Sequence, residues 1–116
     1  MVGWRPSAVN YDKWPALTPE KLEAGLRADE AKPNGLGYEA TLGFIHDSET
    51  AAATLAETLR STSFDIVMIG AGVRRDEDHF LVFEQLVNIV HEHAPQARIA
   101  CNTGPTDSDL AIQRWA

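Results

Sequence analysis

Gly70-Ala71-Gly72-Val73-Arg74 and Asn102-Thr103 are the residues whose types and spacing best suit binding chemistry. The first group follows Ile66–Ile69, four consecutive apolar residues without polar alternation, a pattern that fits a parallel strand covered on both faces. A buried strand ending in small residues places its loop at the carboxyl edge of a sheet, where open α/β folds bind ligands. Backbone amides of the glycine loop with the Arg74 guanidinium form an anion cradle. Asn102 and Thr103 follow the next apolar run and add an amide and a hydroxyl, so the two loops converge if their strands are neighbours. Arg75 is expected to point away, with Asp76 to Asp78 as an acidic screen. Both segments also satisfy plain structural needs: glycines let a backbone turn and pack closely, and Asn-Thr-Gly-Pro is good turn chemistry before a capped helix.

The remaining candidates are thinner. Gly70-x-Gly72 lacks the third glycine of a dinucleotide fingerprint, because position 75 holds Arg75, and the following helix is expected several residues too late. His46 ends a strand with Asp47 beside it, an acid/base pair without a nucleophile. His91 and His93, two apart at a helix end, do not share a face, which disfavours a metal site and suits contact with the last carbonyls. Cys101 lies in a short apolar strand and reads as an inert small hydrophobe. Asn88 is either a buried specifier between helices or solvent-facing. No catalytic residue and no cofactor is identified.

The elements that position these groups follow from pattern. Thr18-Pro19-Glu20 starts a helix running to about Glu30, with Leu22 and Leu26 inward; Lys32-Pro33-Asn34-Gly35 stops it. Tyr38 to His46 reads as a strand, and Asp47 or Ser48 caps a helix to Arg60 with Ala52, Leu55, Ala56 and Leu59 inward. Phe64 to Val73 is the central strand. His79 to His93 reads as the longest helix, ended by Ala94-Pro95, with Phe80, Phe83, Val87 and Val90 toward the sheet and a second row, Val82, Leu86 and Ile89, left for a neighbour. Arg98 to Cys101 is a buried strand, and Thr106 to Asp109 resembles a capping box before a final helix. Arg5 to Pro15 is a loop whose Trp4, Val9, Tyr11 and Trp14 are expected to cover the domain or a partner.

The alternation of strands and helices predicts one α/β domain over residues 1–116, a three-layer sandwich with a parallel four-stranded sheet in flavodoxin-like or Rossmann-like order 2-1-3-4. Its first strand is truncated: Met1 to Trp4 spans only about 13 Å. That shortness predicts either a reading frame that begins upstream or a loop or subunit that fills the sheet.

With 116 residues and one cysteine, the chain needs no disulfide and fits a reducing cytoplasm. A net charge of −7 argues against nucleic acid or an anionic membrane as partner, and no apolar run is long enough to span a bilayer. The second apolar row predicts a homodimer through the Phe80–His93 helix.

Ile66-Val67-Met68-Ile69-Gly70-Ala71-Gly72-Val73-Arg74, then Phe83-Glu84, Val87-Asn88, His91, His93-Ala94-Pro95, Asn102-Thr103 and Gln113-Arg114-Trp115, resemble a group of small bacterial and fungal α/β proteins of unassigned function. The likeness covers roughly the last two-thirds of the chain and implies the fold without an activity; the group tends to begin with a full first strand, absent here. Receiver domains share the β/α order, but Gly70 stands where they carry the phosphoacceptor Asp, and no acidic pair follows the first strand. A pseudo-receiver role remains: a noncatalytic module binding a small ligand or a protein. The competing expectation is a small enzyme acting on an anionic substrate at Gly70–Arg74 and Asn102–Thr103.

Overall fold

In the computed structural model, which describes residues 1–116, Ile66–Ile69 forms strand β3 and its pleat divides the side chains between two apolar clusters. Val67 and Ile69 join Val2, Ile45, Leu55, Leu59, Leu86 and Val90. Met68 joins Ala100 and Ala111, with half-buried Ile66 against them. A strand apolar on both faces is stable only between two helical layers.

The other strands are β1 (Val2–Trp4), β2 (Gly43–Ile45) and β4 (Arg98–Cys101), and the order is β2-β1-β3-β4 with every pair parallel. The 2-1-3-4 sheet and its short first strand are those expected. Strand β1 matches β2 at three positions but β3 at one, Val2 opposite Ile69. Strand β4 is an edge strand, with Arg98 exposed and only Ala100 fully buried, so the reading of Arg98 to Cys101 as buried throughout is corrected.

Helices α2 (Ala51–Ser61) and α4 (Phe80–His93) pack together on one face; α1 (Pro19–Gly35) and α5 (Ser108–Trp115) pack together on the other. The α1 start is as read, with the Thr18 hydroxyl accepting from Lys21 N at 3.2 Å. Its end is not. The helix runs through Pro33 to Gly35, and its 17 residues make it longer than α4, which has 14. The Asn34 amide donates to Glu30 O at 2.8 Å and exchanges bonds with Ala40, holding the last turn, and the reversal comes at Gly37 with φ 97°.

The expected strand from Tyr38 shortens to Gly43–Ile45 because β1 offers it only three residues. Ahead of it, Leu42 N is held by the Glu30 carboxylate at 2.8 Å. Helix α2 begins after Thr50, whose N and hydroxyl both donate to Asp47 at 2.7 Å.

The largest correction concerns α4. Val82, Leu86 and Val90 are its buried stripe, Leu86 at 0% exposure, while Phe80 is 62% exposed and Phe83 and Val87 are half-buried. Of the row expected to face a partner, Val82 and Leu86 are therefore on the inner face and Ile89 is half-buried, while of the row expected to face the sheet only Val90 is fully buried. Helix α2 lies beside α4, and the stripe at i, i+4, i+8 points between that helix and the sheet. The stated reason for a dimer through this helix is gone. No helix is long and apolar enough to cross a membrane.

Candidate ligand-binding edge

Gly70 ends β3 with its N–H on Val2 O at 2.9 Å, so close that a Cβ would meet that oxygen at 3.1 Å. The segment expected as extended strand and loop instead turns at once into α3 (Ala71–Arg74), with Val73 N and Arg74 N both donating to Gly70 O at 3.1 Å. This single turn is separate from the long helix expected from about His79, which begins at Phe80 as read.

Strands β3 and β4 are neighbours, so the two predicted loops do converge. Most of what they present, however, is spent on each other, Arg74 Nε being buried without an acceptor. Ala71 N donates to Asn102 Oδ1 at 2.8 Å, and Arg74 Nη2 to the Asn102 carbonyl at 2.7 Å. Asn102 Nδ2 donates to Ser108 Oγ at 2.9 Å, and the Ser108 hydroxyl donates to the Asp29 carboxylate. Asn102, Ser108 and Asp29 are buried. Among the other expected site residues, the Val73 side chain is in the core, Gly72 faces solvent, and Thr103 gives its N–H (3.0 Å) and hydroxyl (2.6 Å) to Asp107.

Asp29 and Ser108 escaped the sequence reading. Asp29 lies on the α1 stripe at Leu22, Leu26, Asp29, Pro33, an acid at a core position, and that irregularity was the available signal. Ser108 N points at Asp29 Oδ1 from 3.4 Å, so α1 supplies a carboxylate to the positive end of α5. The expected capping box is absent: Asp107 makes no cap bond and turns back to Thr103 and Gly104.

Those bonds, the Thr103 hydroxyl first, hold the Asp107 carboxyl below the usual carboxylate range. A carboxyl whose pKa is lowered by folding stabilises the fold above its unfolded value, about 4, and loses that contribution as pH falls through the lower folded value. Asp107→Asn is accordingly expected to flatten the acid limb of a melting-temperature profile below about pH 4. A limb as steep as that of the unaltered chain refutes this.

The other candidates do not assemble. Asp47 is held by Thr50 while His46 is exposed. His91 is exposed, and His93 lies 3.8 Å from Glu92. Asn88 is solvent-facing and donates to Glu84 O at 2.9 Å. Cys101 is half-buried. No three His, Cys, Asp or Glu side chains are grouped as metal ligands.

On the α2/α4 side of the same edge lies a concavity of about 440 Å³, lined by Ser48 and Glu49 before α2 and by Glu77–Val82 and Gln85 at the start of α4. The end of β1 and the loop after it reach its rim: the Trp4 ring tilts against His79 with centroids 5.3 Å apart, and the Lys13 ammonium pairs with Asp78. Of the apolar residues expected to cover the domain, Trp4 at the end of β1 and Val9 and Tyr11 in the loop are half-buried, and Trp14 is exposed.

The fold and edge define an α/β domain with a four-stranded all-parallel sheet. No protein-family profile, no curated protein and no solved structure matches the chain, so its functional reading rests on this geometry.

Proposed function

We propose that this chain is a noncatalytic binding module, pseudo-receiver-like, that offers the carboxyl edge of its sheet to a small ligand or a protein partner in the reducing cytoplasm. The observation that carries this reading is the closed chain Arg74–Asn102–Ser108–Asp29. Apart from Arg74 Nε its polar groups are bonded to one another and Ser108 is fully buried, so no accessible nucleophile stands beside a base. The test is incubation with a broad metabolite panel, read by thermal shift and by mass spectrometry. Stabilisation without consumption is expected; turnover of any member overturns the reading.

A second reading, an anionic substrate at Gly70–Arg74 and Asn102–Thr103, is favoured by one observation: Arg74 Nε is buried and finds no acceptor in the chain. If an anion from the panel binds there, Arg74→Ala weakens it about tenfold or more, because a charge-assisted bond is lost. Exposed Arg75→Ala leaves it unchanged. Equal binding to both variants, measured by calorimetry, removes Arg74 from the site.

A further inference from the structure

We infer that the concavity between the starts of α2 and α4 docks a cationic peptide segment carrying an aliphatic or aromatic side chain. The inference rests on the binding-module reading and names the partner's chemistry.

Two independent features support it. The first is exposed apolar surface around the groove. Phe80 and Leu81, both lining it, are 62% and 63% exposed at the start of α4, although α4 has a complete buried stripe of its own. Two large apolar side chains left out of the core in one concavity form the kind of surface that partners cover. Its volume of about 440 Å³ is within the range of sites that accept side chains or small ligands.

The second feature is charge. Glu49, Glu77 and Asp78 line the groove, and Asp47 lies one residue from its wall at Ser48. Lys13 offsets one of these four acids. The amino ends of α2 and α4 together offset about one more, at roughly half a charge each. His79 is held by Asp76 at 2.9 Å. The groove is left with about two negative charges, and neither Glu49 nor Glu77 has an ion-pair partner. A two-fold contact between copies would set these acids against their own equivalents, so a second copy of the chain is a poor occupant. Lys or Arg beside a Leu, Ile or Phe satisfies both features at once.

The experiment is selection from a random peptide library on the full chain, followed by amide-shift mapping with the leading synthetic peptide. Enriched peptides are expected to pair Lys or Arg with a large apolar residue. The leading peptide should shift the amides of Glu49, Glu77, Asp78 and Leu81. Phe80→Ser should weaken it about tenfold. Glu77→Lys should weaken it about fivefold, with a loss that shrinks as salt is raised. Both positions are exposed, and unchanged melting temperatures of the variants verify that the fold is intact.

Acidic or uncharged enriched peptides overturn the inference, as do shifts confined to another face. So does a dimer in sedimentation that Phe80→Ser dissolves, since a second copy then occupies the groove. A leading peptide that maps elsewhere, or a metabolite bound elsewhere with no peptide selected, removes this site while leaving the binding-module reading intact. Failure of both the peptide selection and the metabolite panel removes both.

Discussion

Asp29→Ala is expected to lower unfolding free energy by about 2–4 kcal/mol, although Asp29 lies far in sequence from every residue it serves. The carboxylate accepts the Ser108 hydroxyl and faces Ser108 N–H at the first turn of α5, and all three groups are buried. Removing it strands two donors, each costing about 1–3 kcal/mol when buried without a partner. It also removes the negative charge from the helix's positive end. Ser108 would then be free to turn from Asn102, loosening the attachment of α3 to β4. Against a total stability of about 5–15 kcal/mol this is a large loss. For a chain of this length it corresponds to a fall in melting temperature of about 8–16 °C. Asp29→Asn keeps an acceptor oxygen and is expected to lose less. A melting temperature for Asp29→Ala within about 2 °C of the unaltered chain would show that the chain of bonds is not closed. The polar cluster would then be open to a ligand, and the enzyme reading would regain ground.

Leu86→Ala is expected to cost about 2–5 kcal/mol, the range for deleting a buried leucine side chain where the surroundings cannot collapse. Leu86 has no exposure and sits with Val82, Val90, Leu55 and Leu59 beneath α2. Phe80→Ala, at an exposed α4 position outside that stripe, should cost less than about 0.5 kcal/mol. Urea unfolding at two protein concentrations decides the matter. A core role gives a lower midpoint at either concentration. A Leu86→Ala variant of unchanged monomer stability that merely dissociates a dimer in sedimentation would instead return this row to an interface. The large apolar residues of α4 that stand exposed are Phe80 and Leu81, with Phe83, Val87 and Ile89 half-buried.

These two expectations mark where sequence stopped being informative. Ile66–Ile69 declared a strand buried on both faces because no polar residue interrupts it, and it is one. Thr18-Pro19 declared a helix start, and the hydroxyl caps it. The order 2-1-3-4 was legible because helical connectors impose parallel neighbours. The convergence of Ala71, Arg74 and Asn102 followed from that order alone. Their mutual satisfaction did not, since an asparagine side chain reads the same whether it meets a ligand or a backbone amide.

Local rules acting within a few residues therefore determined the elements of this protein and the neighbourhood of its candidate site. Tertiary structure decided everything that depends on what lies opposite. Two apolar rows wind around α4, and only the position of α2 beside it chose the buried stripe, Val82 and Leu86 from one row and Val90 from the other. Strand β2 is three residues long because β1 is. Asp29 and Ser108, 79 residues apart, became one cap because α1 and α5 share a face of the sheet. The reason is common to all three: propensity and periodicity act along the chain, whereas burial and hydrogen-bond satisfaction depend on partners that only the closed fold brings within reach.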